Sequence, residues 1–147
     1  MANLSPVLLR THSERERATR IGTFRMVVGT TLMIPALARR LFGVPDNQDN
    51  ASLRLVARMF GIRNIVLGAW TLMARDQGPE QRLLCYRLNT AVDAVDVAAL
   101  AWAGFTGEGL KQAAVMGVTI GSSAAVAWIE LANEVTSAES ERSLAVA

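Results

Sequence analysis

The chain has one cysteine, Cys85, one histidine, His12, and one lysine, Lys111. A lone cysteine excludes an intrachain disulfide and a thiolate metal site built by this chain alone. With its one histidine in a charged leader, the chain has no His or Cys cluster for a metal or a haem, which leaves carboxylates as the only candidate ligands; no metal site and no cofactor are expected. Aromatic residues are 5% of the whole and the net charge is only +2. No basic stripe interleaved with aromatics exists, which argues against a nucleic-acid partner. The first twenty residues carry charges where the apolar core of a signal peptide belongs. Also missing are a nucleophile paired with a base, a phosphate-binding glycine loop and any cofactor motif.

What the chain has is hydrophobicity and arginine. Hydrophobic residues make up 51% of 147, and fourteen of the fifteen bases are Arg; mean hydropathy is +0.26. Four apolar segments, 21–38, 55–74, 83–104 and 113–129, approach the ~20 residues that a bilayer-spanning helix needs. The expected fold is all-α, a four-helix transmembrane bundle running up-down-up-down. Residues 1–20 read as a charged leader or interfacial segment, 21–131 as the membrane domain and 132–147 as a polar, fraying tail. Pro35 is expected to kink the first span. A soluble four-helix protein is the competing reading, but the second segment after Arg63 and the whole fourth segment lack the broad polar face it needs. Flanking bases number seven at the N-terminus, second loop and C-terminus and four at the first and third loops. The positive-inside rule then puts both termini in the cytoplasm of a bacterial inner membrane.

Charges inside these segments mark the candidate site, because a cation in hydrocarbon needs a partner, water or a route to the headgroups. In the third segment Tyr86, Asn89, Asp93 and Asp96 follow one another at helical spacing and share one face. In an antiparallel hairpin closed by the turn at residues 75–82, Arg63 matches Asp93 in depth and Arg58 matches Asp96. The two arginines lie ~140° apart on an ideal helix, so only one can point squarely at the acids. Arg25, Arg87 and Glu130 are expected to form a second polar cluster, or headgroup anchors, at the inner face. Gly117 and Gly121 form a GxxxG pair on the fourth helix, and Gly61 and Gly68, with Asn64 between them, form a comparable seam on the second. Packing within one subunit accounts for both seams, and a homo-oligomer through the fourth helix stays open.

The run Arg58-Met59-Phe60-Gly61-Ile62-Arg63-Asn64, followed by Gly68, Asp93 and Asp96, resembles a group of small bacterial four-span membrane proteins of unknown function. It is distantly similar to DoxX-like membrane proteins. The likeness covers residues 21–131 and implies an integral four-helix membrane protein with no assigned activity. Asn64 stands where that pattern often carries an acid, so no adjacent counterion for Arg63 is implied.

Two kinds of function fit these residues best, ahead of proton-coupled transport, for which four spans make a thin path and no inverted repeat is visible. The first is a non-enzymatic accessory, assembly or lipophilic-ligand-binding membrane protein, with the bilayer and a small lipophilic ligand or another membrane protein as partners. The second is a membrane isomerase, cyclase or epoxide-opening hydrolase, with Asp93 as base, Asp96 as proton donor and Arg58 or Arg63 as electrostatic stabiliser.

Overall fold

A computed structural model describes residues 13–45, 49–107 and 111–146. The apolar patch at residues 6–9, Arg10 and His12 lie outside the described residues, as do residues 46–48 of the first loop and Glu108 and Gly109 of the third. Five α-helices make up the described chain: α1 (Glu14–Met33), α2 (Pro35–Phe42), α3 (Ala51–Ala74), α4 (Pro79–Thr106) and α5 (Lys111–Val146). It is all-helical, as expected, with five helices where four were anticipated.

The extra helix comes from Pro35. Proline removes a backbone donor and disfavours helical geometry in the residue before it. Ile34 is accordingly extended, at φ −100° and ψ 106°, and the axes of α1 and α2 differ by 109°. The anticipated kink is a complete break. The leader differs too, because Ser13 caps α1 by accepting from the Glu16 amide at 3.4 Å, and Glu14 and Glu16 complement the dipole of the first turn. Helix α1 therefore passes residue 20 uninterrupted. At the other terminus α5 runs on through the residues expected to fray, because Leu131, Ala132 and Val135 are buried and Glu134 is paired with Arg17. Asn50 caps α3, accepting from the Leu53 amide at 3.0 Å. Beside it Arg54 hydrogen-bonds both oxygens of Asp49, at 2.8 and 3.0 Å, which holds that carboxyl below its usual range.

Helices α3 and α5 are each long and apolar enough to cross a membrane, and α1 with α2 qualifies only as a bent pair. Helix α4, with Asn89, Asp93 and Asp96 in its middle, does not qualify.

The helices pack as two antiparallel pairs, α1 with α3 and α4 with α5, and few backbone approaches cross between the pairs. Glycines bring α1 and α3 together: Gly22 lies against Gly68 and Gly29 against Gly61. A Cβ built on Gly29 would fall 2.6 Å from the Gly61 carbonyl oxygen, and one on Gly61 2.7 Å from that of Gly29. Helix α4 meets α5 through side chains, Leu100 over Gly117 and Val97 over Gly121. The α5 glycine pair is therefore occupied within the chain.

Backbone cannot yield as a flexible side chain can. We expect Gly29→Ala to destabilise the fold by about 1–3 kcal/mol, as overpacking does, whereas Gly117→Ala, which meets only the tip of Leu100, stays within about 1 kcal/mol of the parent. Thermal melts followed by circular dichroism check the pair.

Candidate functional site: a buried ion-pair seam

Asp93 projects from the middle of α4 into the boundary between the two helix pairs. Arg25 of α1 grips it in a fork, Nη1 to Oδ2 at 2.8 Å and Nη2 to Oδ1 at 2.7 Å. From α5, the Trp128 indole N–H donates to Oδ2 at 3.0 Å. Arg25 and Asp93 are only 6% and 5% exposed, and Trp128 is fully buried. Three helices thus meet at one carboxylate. Its charge is compensated by a guanidinium and both its oxygens accept from buried donors, which is what lets a buried ion be tolerated.

A second fork lies one turn further along α4. Arg63 of α3 donates to both oxygens of Asp96, with Nη1 to Oδ1 at 2.6 Å, and its guanidinium sits 4.4 Å above the Phe60 ring. This pair is more open, with side-chain exposures of 34% and 16%. Two further pairs stand near the start of α1, Arg82 with Glu14 and Arg17 with Glu134. Tyr86 Oη donates to the same Glu14 and its ring stacks on Trp128, centroids 5.8 Å apart. Beneath it Asn89 donates to the Cys85 carbonyl at 2.9 Å, while its own Oδ1 has no protein donor although the residue is fully buried. The Thr71 hydroxyl lies 3.7 Å from Cys85 Sγ.

All four of these ion pairs join a helix of the first pair to a helix of the second: α1 to α4 twice, α1 to α5, and α3 to α4. Glycine contacts build the first pair, side chains over glycine build the second, and arginine–carboxylate bonds fasten the two to each other.

The depth-matched partners are therefore not the ones that pair. Arg63 takes Asp96 rather than Asp93, Asp93 is held by Arg25, and Arg58 is exposed without an ion pair among the described residues. The ~140° between the two arginines requires one of them to leave the seam, and Arg58 is the one. Asn64 turns to its own helix, donating to the Phe60 carbonyl at 2.9 Å. Arg25, Arg87 and Glu130 do not meet: Arg25 is buried at the carboxylate, while Arg87 and Glu130 are exposed. Cys85 is fully buried, so it does not serve as a one-sided labelling site.

Comparison with family models, curated proteins and solved structures finds no match to this chain. The site must be read from its own geometry.

Reasoning from sequence misses Arg25, Trp128, Glu14, Arg17, Arg82 and Glu134 as members of the network. Helices α1 and α4 run parallel and are not consecutive, so hairpin arithmetic does not reach them. A signal is present nonetheless: Glu14 and Arg25 are eleven residues apart, as are Arg82 and Asp93, with the charge order reversed. Eleven residues are close to three helical turns, so each helix presents both charges on one face at the same separation.

Chemically, the seam binds carboxylates rather than freeing them. We expect Arg25→Ala or Asp93→Ala to cost about 3–5 kcal/mol by leaving a buried charge unpaired, and the apolar double variant Arg25→Met/Asp93→Leu to recover most of that loss. Arg63→Ala costs less, because its partner keeps some access to its surroundings. Detergent melts of the four variants order these effects.

Proposed function

We propose that this chain is an integral membrane protein without catalytic activity, an accessory, assembly or lipophilic-ligand-binding subunit. In this reading α1, α3, α4 and α5 cross the bilayer up-down-up-down and the Arg–Asp seam holds the two helix pairs together. One observation carries it: large apolar side chains face outward while charged and polar ones are buried beside a small apolar core. Arg25, Asn89, Thr71 and Asp93 are buried together with Trp128, Tyr86 and Leu131, whereas Phe105 is 90% exposed, Trp102 72% and Met73 70%. Phe24, Val27, Val66, Val95, Val115 and Val126 extend this apolar surface over four helices. Exposed apolar side chains in that number on four helices call for hydrocarbon around them. Outward hydroxyls fit the same setting, since Thr30 and Thr119 satisfy themselves on the carbonyls of Met26 and Val115, and a bilayer offers no water to do so.

The geometry also bears on the enzyme alternative. A general base needs an oxygen free for substrate, and both oxygens of the buried Asp93 are engaged by Arg25. Asp96 is the more accessible acid, but Arg63 engages both its oxygens. The likeness of residues 58–64 to small four-span proteins points to the same architecture and supplies no activity.

We further propose that both termini face the cytoplasm of a bacterial inner membrane, that lipid is the principal partner, and that any lipophilic ligand enters beside Arg63 and Asp96. A membrane fraction carrying the chain tests the address: carbonate at high pH should leave it in the pellet and mild detergent should release it. Release by carbonate alone would refute the reading. For orientation, the exposed turn residue in Gln77→Cys should react with a membrane-impermeant maleimide only after the cells are opened. Labelling in intact cells would reverse the topology. Buried Cys85 should stay silent in both cases.

A further inference from the structure

The two ends of the molecule use their bases differently. At the end where α1 begins, bases stand among acids: Arg82 pairs with Glu14, Arg17 with Glu134 and Arg75 with Asp76, and the exposed Arg15, Arg20 and Arg142 are on helices that also carry Glu16, Glu139 and Glu141. At the opposite end five bases gather, Arg39 and Arg40 on α2, Arg54 and Arg58 on α3, and Lys111 opening α5. The structure brings these elements together. Gly43, which closes α2, lies against the side chain of Gln112 beside Lys111, and Asp49 is close enough to feel both Arg54 and Arg39. Arg58 follows Arg54 by one helical turn on the same side of α3. The only acid of this end among the described residues is Asp49, and it is committed to Arg54. Even counting Asp46 and Glu108 from the adjoining loops, five bases face three acids.

Position matters as much as charge. Arg40, Arg58 and Lys111 are exposed and have no ion pair among the described residues. Exposed apolar side chains surround them: Ile34 and Leu37 by α2, Leu55 and Met59 beside Arg58, Val115 after Lys111, and Trp102 and Phe105 at the end of α4. Bases beside an apolar belt with an exposed Trp match the level at which phosphates meet hydrocarbon. The 109° bend turns α2 away from the axis of α1, so that it lies along such a surface while α1 crosses below it.

We propose that this end is a binding face for anionic phospholipid, with Arg40, Arg58 and Lys111 taking lipid phosphates and α2 lying among the headgroups. The proposal rests on the membrane reading above and goes beyond it in naming the lipid class and the residues that select it. A base near an anionic surface favours it by about fivefold, so three bases, partly screened, should give at least about tenfold selection.

The test is native mass spectrometry of the full chain in mild detergent with equal amounts of phosphatidylglycerol and phosphatidylcholine. Phosphatidylglycerol should dominate the bound lipid by at least about tenfold, and raising the salt should reduce the excess. In the triple variant Arg40→Gln/Arg58→Gln/Lys111→Gln the preference should fall towards unity. The matched variant Arg15→Gln/Arg20→Gln/Arg142→Gln, at the other end, should keep it. Because the three bases are exposed and unpaired, the first variant should melt within a few degrees of the parent. Should it not, the salt dependence of the parent chain decides alone. Equal binding of the two lipids, selection that survives the triple substitution, or selection indifferent to salt would overturn the proposal. A chain that stays monodisperse without detergent and binds neither lipid would instead overturn the membrane reading beneath it.

Discussion

The carboxylate of Asp93 is the point on which the rest of the structure depends. It accepts from Arg25 on one helix and Trp128 on another while belonging to a third. An ion carried out of water costs several kcal/mol even after relaxation, and only good geometry with filled acceptors repays it. The fork from Arg25 supplies the geometry and, with the indole N–H, engages both carboxylate oxygens, while Arg25 Nε has no protein acceptor. The register of α1, α4 and α5 follows from that one contact, since a displacement of a single residue along any of the three would leave a buried charge unmet.

Around this contact the chain divides its work between two kinds of packing. Within a pair, small residues let helices approach so closely that the carbonyl oxygens of Gly29 and Gly61 each sit where the other's Cβ would be. Such contacts gain dispersion and weak Cα–H···O attraction but carry little directional information. Between pairs, long side chains span a wider gap, and arginine with carboxylate is directional. Four such bonds cross the boundary. Closeness comes from glycine and register from charge. The same division explains why an apolar exterior is compatible with one fold: hydrocarbon chains around the molecule would not discriminate between helix pairings, whereas the buried charges do.

Much of this architecture is legible in the amino-acid sequence. Helical segments, the turn at Gly78 and Pro79, the polar face of α4 and the conflict between Arg58 and Arg63 all follow from spacing alone, because local periodicity determines which side chains share a face. The break at Ile34 reads only as a kink, since a proline announces an interruption but not the direction the chain takes after it. Partner identity is lost for a different reason. Depth matching compares consecutive antiparallel helices, and the decisive bond joins α1 to α4, which are parallel and separated by α2 and α3. Arg25 resembles a headgroup anchor by its nearness to the start of an apolar segment, but α1 begins at Glu14 and so carries Arg25 about three turns inward. At the end of α5, composition misleads, because polar residues hide the apolar positions Leu131, Ala132 and Val135.

In this reading the Arg–Asp seam lies inside the molecule and hydrocarbon surrounds its apolar surface. Spin labels placed singly at Val66, Met73, Val95 and Val126 in the chain reconstituted into bilayers report it most directly, through relaxation by dissolved oxygen and by a water-soluble nickel chelate. Strong relaxation by oxygen and little by nickel is expected at all four sites, because each is exposed on the apolar surface. Nickel relaxation at those sites equal to that of a label on the exposed turn residue Gln77 would contradict it, for the apolar surface would then be in water.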